Sequence, residues 1–118
     1  MSGMQDLQGK LALVTGGARG VGKVIARYLA SRGAEVIVNY FHSPEAARAT
    51  ASEIAAAGGR AHLIRASVAQ QHQVARMFAE IRERFGYLDV LVNNAASGAL
   101  VPLADLAETH LDRALTTN

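Results

Sequence analysis

The sequence predicts an α/β domain built on a doubly wound parallel sheet. Three observations carry that reading: short apolar runs that do not alternate with polar residues, helical patterns between the runs, and a glycine-rich turn after the first run. The runs are Leu11–Val14, Val36–Val38, Ala61–Ile64 and Val90–Val92. A half-exposed strand alternates apolar and polar residues, whereas a strand covered on both faces reads as a continuous apolar stretch.

The helices follow from spacing and punctuation. Val21, Val24, Ile25, Tyr28 and Leu29 recur at helical intervals as the apolar stripe of a first helix, which Gly33 ends. Ser43, Pro44 and Glu45 read as an N-cap, a proline at the first helical position and a first-turn acid; this Ala-rich helix stops at Gly58 and Gly59. Val74, Phe78, Ile81 and Phe85 mark a third stripe, closed by Gly86. A fourth helix is expected from Asp105, with Glu108 as its capping partner, and runs to Asn118. The order is thus β-α-β-α-β-α-β-α. Right-handed crossovers on alternate sides then give the strand order 3-2-1-4. No repeat, linker or low-complexity segment divides residues 1–118, so a single domain is expected.

Composition narrows the function classes. Half of the 118 residues are apolar and 19% are charged, a balance that excludes a disordered chain. The formal charge is +2 and the arginines are scattered, so no nucleic-acid partner is expected. The absence of cysteine excludes disulfides and thiolate metal sites and suits the cytoplasm. His42, His62, His72 and His110 have no metal-ligand spacing and read as surface or loop residues. The first ten residues lack the apolar core of a signal peptide, and no run approaches the roughly 20 residues of a membrane span.

The chemistry sits in the turn Thr15-Gly16-Gly17-Ala18-Arg19-Gly20-Val21-Gly22, between the first run and the first helical pattern. Glycines there permit a tight turn, close approach of backbone to a pyrophosphate, and close packing of helix on strand. The helix N-terminus adds free N–H groups and partial positive charge. Two phosphate-binding readings compete. Gly17, Gly22 and Lys23 match a P-loop up to its last position, where Val24 replaces the magnesium-binding Ser or Thr. Asp89 precedes its strand and cannot supply the second acid. The strict G-x-G-x-x-G pattern is not met either, because the spacing is Gly16, Gly20, Gly22.

That T-G-x-x-x-G-x-G spacing resembles the cofactor motif of the short-chain dehydrogenase/reductase family. Leu88–Ala96 is similar to the strand end of the family that carries N-N-A-G, and Asn118 falls where the family has an asparagine on the next helix. The resemblance covers nearly the whole chain and implies the N-terminal half of a Rossmann domain. By resemblance, Gly16, Gly20, Val21 and Gly22 cradle the pyrophosphate. Ser67 and Val68 lie near the adenine, although the family often has Asp-Val there. Asn94 and Ala95 run beside the adenosine ribose, with a purely structural role for Asn93 and Asn94 equally open.

NADP(H) is the expected cofactor. An NAD site needs an acid at the end of the second strand, and here Val38 is followed by Asn39 and Tyr40. Glu35 lies at the wrong end. Asn39 does not repel a 2′-phosphate, and Arg19 stands where similar family members use an arginine on it. Such a charge-assisted contact contributes about 1.5–3 kcal/mol. Ser43 has a hydroxyl for the same phosphate, but capping is its expected role.

The family protonates the alkoxide with a tyrosine activated by a lysine four residues later. Tyr28, Tyr40 and Tyr87 have no such lysine, and the lysines are Lys10 and Lys23. Asn118, the one catalytic candidate, is similar to a family asparagine that positions that lysine through a water relay. The chain therefore reads as the cofactor-binding portion of a reductase; half of a split enzyme and a non-catalytic nucleotide-binding or interaction module are the alternatives. Asn93–Gly98, Leu100–Pro102 and Glu108–His110 resemble the NADPH-dependent enoyl-acyl-carrier-protein reductases slightly more than the 3-oxoacyl-carrier-protein reductases. A small-molecule or acyl-carrier-bound substrate is implied. So is association as a homo-oligomer or with a complementary C-terminal half.

Overall fold

A computed structural model describes residues 6–95. Four strands alternate with three helices: β1 (Leu11–Thr15), α1 (Gly20–Ser31), β2 (Glu35–Tyr40), α2 (Pro44–Ala56), β3 (Arg60–Arg65), α3 (Gln71–Phe85) and β4 (Val90–Asn93). All strand pairs are parallel and the order is β3-β2-β1-β4, as expected. The fourth expected helix lies outside the described residues.

Every residue of β1 is buried, because the strand is central and covered on both faces. Leu11 and Leu13 face α3, where they pack with Ile37, Ile64, Phe78 and Ile81. Ala12 and Val14 face α1 and α2, with Val36, Val38, Ala26 and Ile54. The continuous apolar runs thus arise from alternation between two cores. Asp89 ties β4 to β1: its carboxylate accepts from the Leu11 N–H at 2.9 Å, and its own N–H donates to the Leu11 carbonyl.

The first helix departs from its expected stripe. Val21, Val24 and Tyr28 are 68%, 67% and 55% exposed, and the fully buried positions are Gly22 and Ala26. Only Ile25 and Leu29 of the stripe pack against the core. The reason is steric. α1 approaches the turn and sheet so closely at Gly22 that only its smallest residues, Gly22 and Ala26, fit fully inward, and Val21, Val24 and Tyr28 are turned out. Hydrophobic spacing records apolarity, not the thickness a contact allows.

Helix ends follow the glycines. Gly33, Gly58 and Gly86 take positive φ after α1, α2 and α3, and the Gly86 N–H returns to the Ile81 carbonyl. Pro44 opens α2 as expected, but Ser43 makes no side-chain cap bond. His62 is not a loop residue: it lies in β3, paired with the Glu35 carboxylate and packed edge-on against Phe85.

Glu53 joins α2 to α1 by pairing with Lys23 at 2.9 Å and Arg27 at 3.2 Å. The Lys23 hydrogen bond outweighs desolvation and holds the Glu53 carboxyl below its ordinary range. A carboxyl depressed in the folded state stabilises above its unfolded pKa, and that stability is lost as pH falls through the folded value. Glu53→Gln is expected to lower the melting temperature slightly at pH ~7 and to match the parent near pH ~3, as melts at the two values would report.

Candidate nucleotide-binding site

The turn between β1 and α1 is set by contacts from three other segments. The Gly16 N–H donates to the Asn39 side-chain oxygen (3.3 Å) and the Gly17 N–H to the Asn39 carbonyl (3.0 Å). The Thr50 hydroxyl, buried inside α2, donates to the Ala18 carbonyl at 2.8 Å. Just after β4, the Asn94 side-chain amide donates to the Gly16 carbonyl at 3.1 Å. Thr15 Oγ1 accepts from the N–H groups of Asn94 and Ala95 and donates to Asn93 Oδ1. Gly16 and Gly20 adopt φ of 62° and 58°, where glycine has no Cβ penalty.

The first helical hydrogen bond of α1 runs from the Lys23 N–H to the Arg19 carbonyl at 3.2 Å. The N–H groups of Gly20, Val21 and Gly22 precede it and have no intrahelical acceptor. Arg19, at the N-cap, supplies no side-chain cap bond, and the first turn holds no acid. The site therefore presents a cluster of open donors with the positive end of a helix behind them.

Beside this turn lies a cleft of about 610 Å³. It gathers Gly16, Arg19, Asn39, Ser67, Val68, Asn94 and Ala95, seven of the residues expected from the sequence. Gly20, Val21 and Gly22 form the adjacent helix start. Asn118 lies outside the described residues. The cleft also takes in Phe41, on which the sequence analysis was silent, and His42 and Ser43, expected as a surface or loop residue and a cap. Thr50 was missed as well; a hydroxyl on the buried face of an Ala-rich helix was its signal.

Geometry refines several roles. Asn39 is 2% exposed, and its amide nitrogen donates to the carbonyls of Ile64 (3.2 Å) and Ala66 (3.0 Å). With its oxygen on Gly16, the side chain is fully engaged in tying β2 to β3 and to the turn. The Asn94 amide is likewise turned to the protein. The Ser67 hydroxyl accepts from the Ala69 N–H at 3.2 Å, while the Ser67 N–H donates to Gln73. Ser43 makes no side-chain cap bond and is among the residues that line the cleft.

A second cleft, about 670 Å³, lies between α1 and the end of α2, around Val24, Tyr28 and Gly59. Its glycines serve packing and turn formation. Gly33, Gly58 and Gly59 already donate their N–H groups to carbonyls, and a Cβ on Gly59 would lie 2.9 Å from Ile54. It has no donor cluster like that of the turn.

The family model for short chain dehydrogenases matches residues 10–118. The chain belongs to that family. It is 41% identical over 114 residues to a hydroxynaphthalene reductase-like protein of Metarhizium majus, covering 97% of this chain and 43% of that protein. It is 42% identical over 118 residues to versicolorin reductase 1 of Aspergillus parasiticus, covering 100% and 45%. Among solved structures, a short chain dehydrogenase from Burkholderia cenocepacia in complex with NADP matches with a TM-score of 0.73 and 45% identity, over 92% of this chain and 44% of that one. This short-chain dehydrogenase chain therefore spans somewhat less than half the length of these relatives. Among its described residues, no helix is long and apolar enough to cross a membrane, and no cluster of His, Asp and Glu forms a metal site.

Proposed function

We propose that this chain is the NADP(H)-binding portion of an NADPH-dependent reductase. The observation that carries the reading is the open donor cluster at the start of α1, which adjoins a cleft with no acidic residue among its described lining. The N–H groups of Gly20, Val21 and Gly22 would hold the diphosphate, and Arg19 the 2′-phosphate. Ser67, Val68, Asn94 and Ala95 would border the adenosine, with Asn39 holding the turn in shape. The bound dinucleotide supplies the hydride; these residues bind it and orient it. The NADP complex of the similar Burkholderia structure supports the choice of cofactor. Asn118 retains a proposed positioning role.

The substrate reading has two branches. The motifs after β4 favour an enoyl- or 3-oxoacyl thioester. The names of the relatives, reductases of hydroxynaphthalene type and of versicolorin, favour a small polycyclic aromatic substrate instead. We place the aromatic branch first, because those relatives cover this chain almost end to end. Following NADPH oxidation by the complete polypeptide with a hydroxynaphthalene-type ketone, an acetoacetyl thioester and a crotonyl thioester separates the branches. Turnover of the thioesters alone would defeat the aromatic choice.

Arg19→Ala tests the cofactor assignment. NADPH affinity is expected to fall about tenfold or more, with NADH little changed, as read by fluorescence titration. Equal loss for both cofactors would remove Arg19 from the 2′-phosphate.

A further inference from the structure

The interior is apolar except at one place. Among the described residues, the buried polar side chains are Thr15, Asn39 and Thr50, and each is bonded at the glycine turn or at the strand end beside it. Thr15 and Asn39 reach the turn from neighbouring strands. Thr50 reaches it from the middle of α2, where it is fully buried and where the other buried residues of the helix are Ala47 and Ile54. Valine has the same shape as threonine and would leave no polar group to satisfy there. A threonine inside a helix can return its hydroxyl to the carbonyl one turn back. The Thr50 hydroxyl instead leaves its helix and donates to the Ala18 carbonyl at 2.8 Å.

That bond fixes a peptide plane. A trans peptide points its carbonyl and its N–H in opposite directions. The Gly16–Gly17 peptide shows the pattern: its carbonyl accepts from the Asn94 amide, and its N–H donates to the Asn39 carbonyl. Two peptides on, Thr50 draws the Ala18 carbonyl toward α2, so the Arg19 N–H points away from α2. No hydrogen bond among the described residues takes that N–H, and Ala18 and Arg19 both line the cleft. We propose that Thr50 is a positioning residue for the dinucleotide: its hydroxyl keeps the Ala18 carbonyl, the negative end of a peptide dipole, turned away from the anionic cofactor. The inference rests on the NADP(H) reading above. Without the hydroxyl, the Ala18 carbonyl would be buried with no donor, an unfavourable state that rotation of the peptide toward water relieves. The rotated carbonyl oxygen then opposes the phosphates, and the Arg19 N–H is withdrawn.

The test uses the complete polypeptide and the Kd values of NADPH, NADH and adenosine, the last a probe without phosphate. Thr50→Val keeps the shape and removes the hydroxyl. It is expected to weaken NADPH and NADH about tenfold, by the same factor, with adenosine unchanged. Thr50→Ser keeps the donor and is expected to bind all three as the parent does, even where loss of the methyl lowers its melting temperature. Thr50→Cys carries a weak S–H donor and is expected to fall between, at about threefold; it is the second variant should Thr50→Val not fold. Melting curves establish which variants are folded at the titration temperature. A role in packing alone predicts the reverse order, with Thr50→Val close to the parent and Thr50→Ser impaired. If folded Thr50→Val or Thr50→Cys binds NADPH as the parent does, the positioning role is overturned and the NADP(H) reading stands. If NADPH weakens and NADH does not, the hydroxyl serves the 2′-phosphate alone and the role at the turn is overturned. If the parent binds neither dinucleotide, both readings fall together.

Discussion

Gly22→Ala is expected to abolish NADP(H) binding and to destabilise the domain by about 2–3 kcal/mol. A Cβ at this position would lie 2.1 Å from the Gly16 carbonyl oxygen and 2.6 Å from the Asn94 amide nitrogen. Both neighbours are fixed. The Gly16 carbonyl accepts the Asn94 bond, and Gly16 is anchored through its N–H to Asn39. Relief therefore requires α1 to lift off the sheet, which moves the donor cluster away from the cleft. Affinity for NADPH should drop at least about 100-fold, because the loss of aligned phosphate contacts exceeds ~2.7 kcal/mol. Gly58→Ala is the control. Gly58 also has positive φ, but its Cβ would enter open space, so only a backbone cost of about 1–2 kcal/mol is expected and binding should persist. Titration and denaturant unfolding of the two variants check the contrast. Unchanged affinity in Gly22→Ala would mean that the turn does not hold the dinucleotide.

Asn39→Asp is expected to destabilise the protein by about 3–5 kcal/mol and to weaken both NADPH and NADH, without creating NADH preference. Sequence logic alone predicts the opposite, since an acid at the end of the second strand is what an NAD site requires. The structure decides against it. The Asn39 nitrogen donates to two carbonyls, Ile64 and Ala66, and the residue is 2% exposed. A carboxylate there would set negative oxygen against those carbonyls and bury a charge. Chemical denaturation with parallel NADH titration is the measurement. A stable variant with improved NADH affinity would show that this side chain reaches the ribose, contrary to its present bonds.

Much of the fold was legible because strand identity is a local property. Leu11–Val14 and Val36–Val38 are apolar on both faces, as a strand covered on both sides requires. The glycines that end the helices were equally plain, since positive φ is a backbone demand that few other residues meet. The site was legible where its work is done by backbone: the turn from Gly16 to Gly22 announces itself by spacing. It was illegible where work is done by packing across segments. Thr50 is 32 residues from the carbonyl it holds, and Asn39 is 25 residues from that of Ile64. Nothing in either neighbourhood of the sequence names the partner.

By itself the sequence determined the order of the elements among residues 6–95, the sheet order 3-2-1-4 and the place of the phosphate-binding turn, because periodicity and glycine spacing act over a few residues at a time and crossover handedness is the same for nearly every βαβ unit. The tertiary structure alone decided which face of α1 is buried, that Asn39 is a tie between strands, and that Phe41 and His42 border the cleft. Those outcomes depend on how closely two elements approach and which polar groups must be satisfied where they meet. Separation in space, unlike separation along the chain, is settled only when the whole sheet has closed over its two cores.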